Sequence, residues 1–186
     1  MGVTGICFAG FGGQGVILAG MIVGRAAAIY DGKFATLTQS FGPEARGSAC
    51  SAQLLLSPEP ILYPYVTRPD ILVAMSQEAY RRFGPQLKPG GVLLHEEDLV
   101  KLDEASRGAQ TFGIPATRFA EELGRRLVLN VVMVGFTTAV TGITSPEAVR
   151  QAIRDSVPPG TESLNLAAFE KGLLHDQSKL SIPHAA

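Results

Sequence analysis

The stretch FAGFGGQGVILAG, residues Phe8 to Gly20, constrains the fold of this chain more than any other. The apolar run Val3–Gly10 reads as a buried strand that ends in glycine. From Gly13 the pattern turns helical, with small or apolar residues (Val16, Ile17, Gly20, Ile22, Val23, Ala26 or Ala27) returning at a spacing of three to four. That helix is expected to stop near Asp31-Gly32, and Lys33–Gln39 reads as a second strand. Strand, glycine turn, helix and strand in succession form a βαβ unit, which implies a parallel sheet with a right-handed crossover.

A turn of this kind has a physical job. Gly10 permits a tight turn, Gly12 lets backbone approach a ligand, and Gly15 lets the helix sit close to the sheet. The N–H groups at the helix start favour an anion such as pyrophosphate. Gln14 can donate to a phosphate or fix a neighbouring loop. A dinucleotide-binding unit also places Asp or Glu at the tip of its second strand, about 20 residues on, to hold the ribose hydroxyls. Here that strand ends in Thr38-Gln39-Ser40, while Asp31 precedes it and Glu44 lies in the following loop. The turn therefore points away from a redox dinucleotide. It leaves open another anionic ligand, a neighbouring subunit's cofactor, or glycines that serve packing and turn geometry alone.

Downstream, SFGPEARGS (Ser40–Ser48) is a polar loop with Gly42-Pro43 and Gly47 as breakers. ACSAQLLLS and ILYPYV read as extended segments, and Pro64 makes the second an edge strand or a loop. PDILVAM is a short buried strand, followed by a helix through about Phe83. LKPGGVLLHEE gives a turn and a strand, and AQTFGI a further extended run leading to PATRFAEELG, which Pro115 opens. Asn130 is a candidate cap for the helix VVMVGFTTAVTG. Ser145, Pro146 and Glu147 start a helix that ends before Pro158-Pro159, and NLAAFEKGLLHDQ is the last helix. The alternation predicts an α/β fold of Rossmann-like type: a mostly parallel sheet with flanking helices, in a single domain over residues 1–178. Residues 179–186 form a polar tail.

Hydrophobic residues make up 46% of the chain and charged residues 18%, yet no apolar run approaches the ~20 residues of a membrane span. The expectation is a cytoplasmic protein, without a signal peptide, that hides part of its surface in a larger assembly. A net charge of −1 gives no field to recruit nucleic acid or an anionic membrane. Cys7 and Cys50 stand alone in strand-like contexts, so buried thiols are expected rather than a disulfide or an iron–sulfur cluster. The run His95, Glu96, Glu97, Asp98 reads as a solvated turn and helix start rather than a metal site, and His175 and His184 stand near the C-terminus without a nearby cluster. Ser76 and Gln77 either line the crevice at the carboxyl end of the sheet or cap the helix after them. There is no Ser/His/Asp set, no glycosidase carboxylate pair and no P-loop lysine, so no catalytic residue is assigned to this chain.

Six motifs occur in a telling order: GFGGQGV at 10–16, QSFGPEARGS at 39–48, PDILVAMSQEAY at 69–80, LKPGGVLL at 87–94, IPAT at 114–117 and NVVMVGFTTAVTGI at 130–143. On these the chain resembles the gamma subunit of the 2-oxoacid:ferredoxin oxidoreductases, over nearly its whole length. The resemblance implies a place in a complex that oxidatively decarboxylates a 2-oxoacid to an acyl-CoA and passes electrons to ferredoxin or a similar acceptor. It implies thiamine diphosphate, Mg and iron–sulfur clusters on partner subunits, namely the alpha and beta subunits and an iron–sulfur delta-type subunit, and a part for the gamma unit in binding CoA. CoA brings phosphates that need N–H donors and cations but no acid for a free ribose diol. Carried over by position, Gly10, Gly12, Gly13, Gln14 and Gly15 would meet the CoA phosphate region or the neighbouring active site, while Ser40, Arg46, Gly47 and Ser48 would add a cation and hydroxyls. The planar fork of Arg46 suits phosphate, its alternatives being a solvated arginine or a salt bridge to Glu44. GPEARGS, YPYV and MSQEAY lean toward the 2-oxoglutarate group. A pyruvate, indolepyruvate or arylglyoxylate enzyme, a free-standing NAD(P)-linked oxidoreductase and a ligand-free structural subunit are the alternatives.

Overall fold

Successive residues of the central strands are apolar on both sides, and in the computed structural model both faces of the sheet are covered. The structure describes residues 2–41 and 49–175. Its strands are β1 (Thr4–Phe11), β2 (Phe34–Ser40), β3 (Ala49–Ser57), β4 (Ile71–Ala74), β5 (Val92–Glu96) and β6 (Gln110–Ile114), in the order β2-β3-β1-β4-β5-β6. The helices are α1 (Val16–Arg25), α2 (Gln77–Phe83), α3 (Ala116–Glu122), α4 (Leu129–Thr141), α5 (Pro146–Ser156) and α6 (Glu162–Leu173). Ile6 and Phe8 of β1 point into the larger core with α1 and α4, while Cys7 and Ala9 point into the smaller one under α2. An uninterrupted apolar run is what a strand buried on both faces requires.

The α/β class and the mostly parallel sheet agree with the expectation, since β1, β4, β5 and β6 pair in parallel. The first crossover needs correction. β2 does not pair with β1: β3 lies between them, antiparallel to both. Ser40 pairs with Ser51, Ala9 with the same Ser51, and Phe11 with Ala49. The end of β2 and the start of β3 thus lie at the same sheet edge as the glycine turn. ILYPYV is a loop, and it leaves Leu62, Tyr63 and Tyr65 exposed. After Arg25 the first helix widens into a π-helical turn, Ala26–Tyr30, and ends before Gly32. Ser145 caps α5 as expected, accepting the Ala148 N–H.

Cys7 and Cys50 are both buried, in the two different cores. They therefore face opposite sides of the sheet, and burial pushes the Cys7 thiol up to about 12. Both behave as small apolar side chains.

Helix α4 is the axis of the larger core, buried from Leu129 through Thr138. It crosses α6 at backbone contact. A methyl group at Gly135 would stand 2.1 Å from the Phe169 carbonyl oxygen, and one at Gly172 would stand 2.0 Å from that of Val132. Neither obstacle is the tip of a flexible side chain, so the helices would have to separate. Gly135→Ala or Gly172→Ala is expected to destabilise the protein by about 3 kcal/mol through overpacking, read as a lowered denaturant midpoint. A raised midpoint, as the roughly 1 kcal/mol helix preference of alanine gives in an open position, would contradict this contact.

Candidate ligand site at the glycine turn

The connections leaving β1 and β4 diverge. Helix α1 packs in the larger core on one face, and α2 packs in the smaller core on the other. The carboxyl ends of these adjacent strands therefore flank a topological switch point, where open α/β sheets bind ligands. The glycine turn sits there.

Gln14 closes the gap between the two strand ends. Its Oε1 accepts the Phe11 N–H at 2.7 Å, and its Nε2 donates to the Met75 carbonyl at 3.0 Å. The backbone continues the same seam, since the Gln14 N–H donates to the Phe11 carbonyl and the Met75 N–H to that of Ala9. Of the two uses read for Gln14, the structure shows the bracing one. Gly10 belongs to the strand itself, and its missing side chain makes the brace possible: a methyl group there would lie 2.6 Å from Gln14 Oε1 and 3.2 Å from Met75 Cβ. Gly12 and Gly13 are exposed, and Gly13 takes a left-handed φ of 96° that favours glycine.

Gly15 is also left-handed, φ 71°, and caps α1 without a side chain. The role read for it, close seating of helix on sheet, falls instead to Gly20 and Gly24, where a methyl group would lie 2.8 Å from Ala52 Cβ and 3.0 Å from Leu54 Cδ1. The space beside Gly15 belongs to Asn130, whose Nδ2 is 2.4 Å from where a Cβ would stand. Asn130 is not the cap of α4, which begins at Leu129. Its side-chain amide donates to the Gly15 carbonyl at 3.1 Å and ties the start of α4 to the start of α1. A lone amide in the apolar run VLNVVMVGF was the available signal. Ser40 ends β2, exposed and separated from β1 by β3; Arg46, Gly47 and Ser48 lie outside the described residues.

The run His95–Asp98 begins inside β5 rather than in a solvated turn, and only Glu97 and Asp98 are exposed. Glu96 is fully buried, and its carboxylate accepts the N–H of Leu99 at 2.6 Å and that of Thr117 at 3.1 Å. It thereby joins the end of β5 to the first turn of α3. Burial pushes its carboxyl above the ordinary range, against both N–H donors. His95 is buried beside Gly113 of β6, and burial lowers its pKa. Glu97 and Asp98 pair with Arg118. Ser76 caps α2 through the Ala79 N–H, and Gln77 exchanges hydrogen bonds with the backbone of Lys101. Among the described residues no three His, Cys, Asp or Glu side chains are grouped to hold a metal, and no helix is long and apolar enough to cross a membrane.

Beside the turn is a cleft of about 280 Å³ lined by Gly13, Gln14, Leu99, Arg126, Leu127 and Leu129. It lies over the carboxyl ends of β1 and β5 and against the start of α4. The cleft thus combines an exposed glycine backbone, one cation and leucine walls.

With this architecture the chain belongs to the pyruvate ferredoxin/flavodoxin oxidoreductase family, whose model matches residues 5–174. Its relatives are subunits of 2-oxoacid:ferredoxin oxidoreductases. The 2-oxoglutarate synthase subunit KorC of Methanocaldococcus jannaschii is 53% identical over 169 residues, covering 90% of each chain. The gamma subunit of a keto/oxoacid ferredoxin oxidoreductase from Geobacter sulfurreducens superposes with a TM-score of 0.81 at 41% identity, covering 91% of this chain and 96% of that one. The 2-oxoglutarate:ferredoxin oxidoreductase of Magnetococcus marinus, solved with 2-oxoglutarate, coenzyme A and succinyl-CoA bound, superposes with a TM-score of 0.83 at 25% identity. That match covers 92% of this chain and 30% of the other.

Replacing Asn130 tests the brace. In Asn130→Asp the Gly15 carbonyl faces an acceptor and loses its donor, and a loss of about 1–3 kcal/mol in unfolding free energy is expected from urea titration. A midpoint equal to wild type would contradict the role given to this side chain.

Proposed function

We propose that this chain is the gamma subunit of a thiamine-diphosphate-dependent 2-oxoacid:ferredoxin oxidoreductase, acting on 2-oxoglutarate, and that it contributes CoA binding and architecture to the complex. The observation that carries the reading is the braced glycine turn at the switch point, open to an anion and lacking a ribose-binding acid. In a dinucleotide-binding fold the acid stands at the tip of the parallel strand next to β1. Here that neighbour is β3, which runs antiparallel and brings its start, Ala49, to this edge. The arrangement disfavours a free-standing NAD(P)-linked enzyme.

CoA meets the chemistry that remains. Its diphosphate needs backbone N–H donors and a cation, which the first loop, Gly10 to Gly15, and the second loop, with Ser40, Arg46, Gly47 and Ser48, would supply. The flanks of the second loop, Ser40 and Ala49, stand at the edge of the sheet that bears the turn. The similarity to a 2-oxoglutarate synthase subunit supports the choice of 2-oxoacid. The Magnetococcus enzyme, with coenzyme A and succinyl-CoA bound, supports both this choice and the co-substrate.

Thiamine diphosphate, Mg and the iron–sulfur clusters would be held by the alpha, beta and delta-type subunits. Two thiols on opposite faces of a sheet cannot share a cluster. The Magnetococcus match spans under a third of its chain, so there the corresponding unit is part of a longer polypeptide. The exposed side chains of Phe41, Leu62, Tyr63 and Tyr65 suit a chain that is buried in an assembly.

Affinity purification of the tagged chain from its native host is expected to recover larger subunits in a brown complex whose oxidation of 2-oxoglutarate depends on CoA. Recovery of a stable, colourless monomer that binds NADH would overturn the proposal, and a complex indifferent to CoA would leave only the structural role.

A further inference from the structure

The cleft beside the glycine turn has walls of two kinds. Gly13 and Gln14 present polar backbone, and Arg126 presents a guanidinium; Leu99, Leu127 and Leu129 present hydrocarbon. The Arg126 side chain is held only by a loose, solvent-exposed ion pair: it is 65% exposed, and its Nε stands 3.8 Å from Glu121 Oε1, within ion-pair reach but beyond hydrogen-bond distance. The backbone of Arg126, by contrast, is held. Residues Arg126–Val128 form a short helical turn directly before α4, and four residues on Asn130 bonds to the Gly15 carbonyl. The tether that fixes the glycine turn against α4 therefore also fixes the base from which Arg126 reaches the cleft. Leu127 is exposed next to it, an apolar side chain with no core to fill.

The geometry points to Arg126 as a binding residue for the diphosphate of CoA, with the pantetheine arm running along Leu99, Leu127 and Leu129. The inference rests on the CoA reading above and adds a second cation, from the start of α4, to the one that Arg46 of the second loop would supply. A guanidinium presents paired donors to a phosphate while the Gly13 backbone approaches from the other side. A volume of about 280 Å³ is too small for the whole coenzyme and suits one segment of it. An anionic group joined to an uncharged, flexible chain is what this division of walls would take.

The test uses the assembled complex carrying Arg126→Ala or Arg126→Lys, with CoA and dephospho-CoA as probes in equilibrium binding. Dephospho-CoA lacks the 3′-phosphate and keeps the diphosphate. Arg126→Ala is expected to raise the Kd for both probes by the same factor, roughly tenfold, as for loss of a charged hydrogen bond. Arg126→Lys should recover part of the loss, and the KM for the 2-oxoacid, the melting temperature and the subunit ratio should stay at wild-type values. A second variant, Leu127→Glu, places a like charge beside the phosphates and should also weaken both probes. An unchanged Kd in Arg126→Ala overturns the inference, as does a loss confined to CoA, which would assign the arginine to the 3′-phosphate. Dissociation of the complex in Arg126→Ala overturns it too, by making the residue a subunit contact. Absence of CoA binding in the wild-type complex is a different failure, that of the functional reading beneath it.

Discussion

The contact between Gly15 and Asn130 couples the parts of this protein that matter for its site. Helix α4 passes through the middle of the larger core, and helix α1 follows directly on the glycine turn. They meet where a side chain on residue 15 would collide with the Asn130 amide, and a hydrogen bond to the Gly15 carbonyl holds them there. On the other side of the turn, Gln14 bridges the ends of β1 and β4. A turn anchored from both sides keeps its backbone in one conformation before any ligand arrives, so less ordering has to be offset on binding. The glycines are required by these two side chains as much as by a ligand.

Much of this was legible in the sequence, and what was not has physical reasons. The strands and most helix ends follow from apolar runs, Pro146 after a Ser cap, and glycines past helix ends, all of which are local signals. Strand order is not local. β3 has the same apolar composition whether it lies outside β2 or between β2 and β1, and packing of α1 over β1, β2 and β3 decides it. Its direction was within reach, because residues 41–48 are too few for the dozen or more that a parallel crossover needs.

The position of the glycine turn was legible; the partners that its glycines make room for were not. The spacing of Gly10, Gly12 and Gly15 located the turn, but it could not tell a glycine that admits a phosphate from one that admits Gln14 or Asn130. Glu96 was hidden among acidic neighbours that do stay at the surface, and only burial separates it from Glu97 and Asp98. Arg126 belongs to no glycine motif and reaches the site through the placement of α4, which depends on a contact between residues 115 positions apart.

The central claim is that the turn and the start of α4 form one preorganised surface for the phosphates of CoA. Amide hydrogen exchange on the assembled complex, with and without CoA, measures it most directly. The account predicts that residues 12–16 and 126–129 gain protection together when CoA is added and stay unchanged with NADH. Protection by NADH, or protection by CoA confined to other subunits, would contradict it.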